Sequence, residues 1–344
     1  RLINALLNFK QCFRSQDHRL EKYNNQNNTT KMKNETKTFS EYKAPKCKEV
    51  ALLVSSALLN DSKFGVARAG KDLLDFSPDV VFVEFAVNDV DNPDCLETAE
   101  GLIRKILKAG SEPAVIILCN IIYDSGASRE DEYTELAKKY SLPCISIRNT
   151  IYKSITDGEL STTEVTGDNI HPNDNGHRLI AEIIKCYLDD VAKDNCIFEA
   201  KANSNYNLAL TDNTYENATL YNNKNYKAIC KGFLEDTSVQ EDIRDCFKNG
   251  WISKNEGDSI EFELDTSGIT IQYRRTVEGP AMKVAVLVDD MERLVLDGKF
   301  DEDWGDKLEL KTVINFEKRG IHTIRLVTVE KGEVPFYLVS IISK

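Results

Sequence analysis

Followed for its alternation of apolar and polar positions, the chain changes character twice. Residues 21–39 read EKYNNQNNTTKMKNETKTF, with almost no apolar periodicity. Such a stretch cannot bury enough apolar surface to offset its ordering entropy, so residues 1–48 are expected to be a divergent or disordered N-terminal segment. From Glu49 the pattern becomes regular. Val50–Val54 reads as a strand, Gly65–Phe76 as an amphipathic helix, and Val80–Val87 as a strand apolar on both faces. A helix capped by Asp94 and ended near Gly110 follows, then the strand Ala114–Asn120, the helix Glu130–Tyr140, the strand Pro143–Ile147 and the helix Asn173–Val191. Doubly apolar strands alternating with amphipathic helices predict a parallel sheet covered on both sides, a three-layer flavodoxin-like α/β domain over 49–194.

Beyond 195 the helical spacing disappears. Ile260–Leu264, Gly268–Tyr273, Met282–Asp289, Glu309–Phe316, Ile321–Val329 and Pro335–Ser343 are strand-like runs separated by Gly and Asp/Asn clusters. They predict an antiparallel β-sandwich or jelly roll over 195–344.

Composition narrows the partners. A net charge of −12 argues against phosphate-backbone binding and against docking on an anionic membrane, which both favour basic surfaces. Neither a nucleic-acid nor a membrane partner is expected, and neutral ligands such as sugars or acyl esters stay open. The nine cysteines form no CxxC pair and several sit in apolar runs, as buried reduced thiols do. That slightly favours a cytoplasmic, reducing compartment, although a chain opening on Arg1 leaves room for a missing leader. No metal site and no cofactor are expected.

Two blocks in the α/β half carry candidate chemistry. Glu84-Phe-Ala-Val-Asn88-Asp89 ends the strand from Val80, and ligands bind outside the carboxyl ends of strands in open α/β sheets. Asn and Asp are also common turn formers, so the block alone admits either reading. Asp168-Asn-Ile-His171-Pro172 precedes the last helix. An imidazole with a carboxylate three residues away suits proton transfer near neutral pH, and a structural histidine at a helix entrance is the alternative. His177, on the helix, is expected to pack or bond locally. Asp289 and Asp290 read as turn acids, with calcium binding by paired acids as the alternative. His322 reads as a structural histidine, and Trp251 as a core residue with stacking on a sugar as the alternative.

Taken together the blocks resemble the SGNH/GDSL hydrolase family. Ser62-Lys-Phe-Gly-Val-Ala-Arg68 and Pro78 through Asn88-Asp89 look like its second and third blocks. Asp168-Asn-Ile-His171-Pro-Asn-Asp-Asn-Gly176-His177 looks like its fifth. The GVAR and EFAVND variants are similar to bacterial esterases that deacylate carbohydrates. The resemblance implies a Ser-His-Asp esterase acting on a small-molecule or carbohydrate ester, most simply an O-acetyl sugar. Asn88 would donate to the oxyanion, His171 would be the general base and acid, and Asp168 would orient it. Asp89 would lie on the substrate side, and the backbone N–H at Leu59 would complete the oxyanion hole.

The departure from the family lies upstream. Its nucleophile sits in a Gly-Asp-Ser or Gly-Gly-Ser turn, and no such triplet occurs near residues 15–25. Ser15 is the nearest candidate, and Leu59 stands where the family has glycine. Agreement that starts abruptly at Ser62 points to a replaced or frame-shifted beginning. A non-catalytic carbohydrate-binding protein on the same scaffold is the alternative function.

Overall fold

The computed structural model describes residues 50–54, 61–193, 208–238, 248–302 and 305–344. The described residues fall into two compact units, the first holding Asp61–Gly65 and Ala69–Asn213 and the second Thr214–Lys344 together with the short stretch Val66–Arg68.

In the first unit, β1 (Val50–Val54), β2 (Val80–Glu84), β3 (Ala114–Cys119) and β4 (Cys144–Ser146) form a parallel sheet in the order β1-β2-β3-β4. Val54 pairs with Glu84, Val83 with Ile117 and Cys119 with Ser146, so the carboxyl ends form one rim. Apart from Glu84 and Ser146 at their carboxyl ends, the strands are apolar because both faces are covered. Val80, Phe82, Ile116, Leu118 and Ile145 share a core with Leu179, Ile180, Ile183 and Ile184 of the helix Asp174–Lys193. Val81, Val83, Val115 and Ile117 alternate onto the other face and are buried. Helices Cys95–Leu107 and Glu130–Tyr140 contact β3 there. With Ser62–Asp72 the main helices in chain order are α1 (Ser62–Asp72), α2 (Cys95–Leu107), α3 (Glu130–Tyr140) and α4 (Asp174–Lys193). This is the expected three-layer α/β domain.

Local boundaries differ from expectation where polar side chains intervene. The strand from Val80 stops at Glu84, and Asn88–Asp91 turns as a short 3-10 helix. Asp94 stands at the N-terminus of α2 but makes no side-chain cap; its carboxylate instead pairs with Lys63 at 3.0 Å. A π-turn at Arg148–Tyr152 and two single-turn helices, Lys153–Thr156 and Thr162–Val165, carry the chain from β4 to α4. Their apolar spacing is too short to be read as helix.

The second unit is all-β and antiparallel. It contains β5 (Thr219–Tyr221), β6 (Ile229–Lys231), β7 (Leu234–Glu235), β8 (Trp251–Ser253), β9 (Ser259–Arg275), β10 (Lys283–Val288), β11 (Met291–Asp297), β12 (Lys307–Glu330) and β13 (Phe336–Ser343). The path runs β11-β10-β12-β9-β13-β8-β7, with β5 on β13 and β6 on β9. Four of the expected runs merge into two long strands. Register shifts between Thr312 and Ile314 and between Asn315 and Gly320 let β12 follow β9 past the polar interruption. Asp289 and Asp290, at φ of 53° and 61°, form the left-handed turn between β10 and β11. Trp251, Phe262, Ile271, Val286, Leu326 and Phe336 are among the residues of its core.

Candidate active site

The site is built on the carboxyl rim of the α/β sheet. Past β2, Phe85 and Ala86 remain fully buried, and Asp89 N–H bonds back to Phe85 C=O at 2.8 Å to close the turn. Asp89 points inward and is wholly inaccessible. Its carboxylate accepts the Ser62 N–H at 2.8 Å, the Tyr133 hydroxyl at 2.7 Å and the Asn92 amide at 3.2 Å. Burial pushes the carboxyl above its ordinary range, and these donors pull against it. One side chain thereby ties together the start of α1, α3 and the turn itself. Asn88, next to this anchor, is half-buried, and its side-chain amide has no hydrogen-bond partner among the described residues.

The second motif is organised by Asp168. Its Oδ1 accepts the N–H groups of Ile170 at 2.9 Å and His171 at 2.7 Å, and its Oδ2 meets His171 Nδ1 at 2.6 Å. With so many donors, the His171 ring first among them, the Asp168 carboxyl is held well below the usual carboxylate range. An ionised acceptor at Nδ1 places the proton there and leaves Nε2 as the basic nitrogen. The pair is open, with side-chain exposures of 65% for His171 and 54% for Asp168, so a substrate can reach it. Asn169 takes φ 67°, a left-handed value that asparagine tolerates. Thr166 bonds the His171 carbonyl at 2.8 Å, and the Asn173 side chain accepts the Gly176 N–H at 2.9 Å as α4 begins.

The loop between β3 and α3 joins the two motifs. At one end, Tyr123 N–H bonds Asn169 C=O at 2.7 Å, and the Asn169 amide reaches Asp124 at 3.3 Å. At the other, Arg129 gives its N–H to Ala86 C=O at 2.8 Å and its Nε–H to Asp89 C=O at 3.1 Å. The turns bearing Asn88 and His171 therefore hang on one ten-residue support, residues 120–129, at a single rim. Tyr123, Asp124 and Arg129 were not found by sequence reasoning. Only the strand-to-helix gap marked that loop, and nothing in the pattern shows which of its residues bridge.

Other expected residues fall elsewhere. Ser15 and Leu59 lie outside the described residues. His177 is exposed on α4, its N–H on Asn173 C=O, and it takes no part in the His171–Asp168 pair. In the β unit, His322 Nδ1 meets Asp289 Oδ2 at 2.7 Å while its ring lies flat on Phe316, 3.6 Å between centroids. The described residues contain no group of three or more His, Cys, Asp or Glu side chains able to hold a metal. None of their helices is long and apolar enough to cross a membrane.

Comparison with known proteins identifies the family. No family model and no curated protein matches the chain. Among solved structures, a two-domain esterase (CEX) active on acetylated mannans is 40% identical, with a TM-score of 0.77. The alignment covers 83% of this chain and 77% of that one. The same esterase co-crystallized with mannopentaose has the same identity and coverage, with a TM-score of 0.74. The chain belongs to this family of SGNH carbohydrate-esterase-like hydrolases. Its members among the solved structures are carbohydrate esterases, and this chain is an ester hydrolase of that kind. In this SGNH hydrolase, no described hydroxyl or thiol bonds the His171 ring, whose one partner among the described residues is Asp168.

Proposed function

We propose that the chain removes O-acetyl groups from carbohydrate through a serine-type mechanism, with His171 as base, Asp168 as its orienting acid and Asn88 as an oxyanion donor. The observation that carries this reading is the His171–Asp168 contact at 2.6 Å, on a turn braced by the same loop as the Asn88 turn. The 40% identity to an esterase active on acetylated mannans supports the substrate class.

Each step follows from those groups. His171 Nε2 takes the proton of a serine hydroxyl as its oxygen attacks the ester carbonyl. The oxyanion receives the Asn88 amide N–H and a second N–H at the Leu59 position. Asp168 stabilises the imidazolium, which then protonates the sugar oxygen as its bond to the acyl carbon breaks, releasing the free hydroxyl and leaving an acyl-serine. Water, activated by the same ring, releases acetate and restores the serine. Ser15 is the nucleophile candidate. Asp89, buried and triply bonded, acts in this scheme by holding the Asn88 turn rather than by touching the sugar.

The test is acetate release from acetylated mannan, and hydrolysis of p-nitrophenyl acetate, by wild type and His171→Ala. A large loss in the variant supports the reading, and equal background rates in both reject it. A second reading draws on the absence of a Gly-Asp-Ser or Gly-Gly-Ser triplet near residues 15–25 and of a hydroxyl on the His171 ring among the described residues: a glycan binder that does not cleave. It predicts mannan binding without acetate release, and Ser15→Ala indistinguishable from wild type.

A further inference from the structure

Asn88 is aimed by its backbone, because its side-chain amide bonds to nothing among the described residues. Arg129 holds that backbone on both sides of it. The Arg129 N–H bonds the carbonyl of Ala86, just before Asn88, at 2.8 Å, and its Nε–H bonds the carbonyl of Asp89, the next residue, at 3.1 Å. The Asp89 carbonyl also accepts the Asn92 N–H at 2.9 Å, so both of its lone pairs are used. The guanidinium is itself anchored: Nη1 meets Glu132 Oε1 at 3.0 Å in the first turn of α3. Arg129 stands at the N-cap position of α3, and Tyr133 in that helix gives its hydroxyl to the Asp89 carboxylate at 2.7 Å. The start of one helix thus ties the Asn88 turn through a backbone donor and two side-chain donors. The Arg129 side chain is 35% exposed, so it fills no core position, and no step of the proposed mechanism uses it.

We infer that Arg129 is a positioning residue for the ester hydrolysis, which sets the direction of the Asn88 amide by holding the carbonyls on either side of it. The inference rests on the roles proposed above for Asn88 and His171. Such a residue acts through geometry, and displacing a catalytic group by about 1 Å costs up to about 100-fold in rate. Lysine cannot take its place. It carries a methylene where arginine has Nε, and its one ammonium would have to serve both the Asp89 carbonyl and Glu132. A role for the positive charge alone, stabilising the oxyanion through its field, would survive the change to lysine. The backbone N–H to Ala86 persists in every variant, so a substitution reads the Nε bond and its anchor.

The experiment uses the whole chain as wild type, Arg129→Ala, Arg129→Lys, Asn88→Ala, the double variant Arg129→Ala with Asn88→Ala, and His171→Ala. Hydrolysis of p-nitrophenyl acetate gives kcat and KM, and amide hydrogen exchange follows the segment 85–92. Arg129→Ala should lose about tenfold in kcat with KM little changed, and Arg129→Lys about as much. The double variant should be no slower than Asn88→Ala, because a misaimed amide costs nothing once the amide is gone. Exchange at Asp89 and Asn92, whose N–H groups close the turn, should quicken in Arg129→Ala while β2 and β3 keep their protection. Full activity in Arg129→Ala, recovery in Arg129→Lys, or a further loss of about tenfold in the double variant would overturn the inference. Equal rates in wild type and His171→Ala would instead reject the esterase reading, and equal rates in wild type and Asn88→Ala the oxyanion role. In either case the exchange comparison still reads whether Arg129 holds the turn, and unchanged exchange denies it.

Discussion

At the scale of single residues, the proposed site sets one acceptor under one ring. Asp168 spends Oδ1 on two backbone N–H groups and Oδ2 on the imidazole, so the backbone fixes the angle at which the carboxylate meets the ring. Because its carboxyl stays ionised well below the usual range, activity lost on mild acidification does not come from Asp168. Asp168→Asn should keep the turn, since an amide oxygen still accepts the two N–H groups, but it removes the anion that stabilises the imidazolium. We expect kcat to drop about 10²–10⁴-fold with KM nearly unchanged, measured on p-nitrophenyl acetate. This pair was legible in the sequence because it is local: three residues in one turn need no knowledge of the fold. Asp89 shows the opposite case. An Asn-Asp step at a strand end says that two polar groups emerge, not which one turns inward. Ser62, Asn92 and Tyr133, which decide it, lie 27, 3 and 44 residues away.

At the scale of elements, the entry into α4 is the tightest constraint on the His171 turn. A Cβ built on Gly176 would stand 2.3 Å from the Val165 carbonyl oxygen and 2.9 Å from the Pro172 ring. Helix and turn can therefore approach only with glycine there. Thr166 pairs with Pro172 across the same gap, and Asn173 N–H bonds Val165 C=O at 2.8 Å. Gly176→Ala should push α4 away from this bridge, destabilising the domain by about 1–3 kcal/mol. It should also lower kcat, because the His171 turn moves with it. Thermal melting and acetate release on the same preparation check both effects, and unchanged values for both would mean the bridge does not hold the turn. The doubly apolar strands and the amphipathic helices were readable from spacing alone. The merging of the runs in β9 and β12 was not. Bulges and backbone bonds carry those strands past polar residues, as when Ser267 N–H and the Thr266 hydroxyl both bond the Lys344 carbonyl. Those partners lie far along the chain and leave no mark in local alternation.

At the scale of the whole molecule, each unit has its own core, and the chain as a whole is acidic, with a net charge of −12. Long-range attraction contributes nothing to capture of a neutral ligand, and the proposed substrate, an acetylated mannan, is neutral. Raising salt from about 0.05 M to about 0.5 M should change kcat/KM on that substrate by less than about twofold. A strong loss with salt would point to an anionic substrate held by a local basic patch. The Asn88 and His171 turns, braced by one loop, are the proposed ester-hydrolysing site. The most direct measurement is acetate released from acetylated mannan by wild type, His171→Ala and Asn88→Ala under one set of conditions. Wild type should release acetate, Asn88→Ala should release it about 10²–10³-fold more slowly, and His171→Ala should stay at background. Equal release by all three proteins would contradict that assignment.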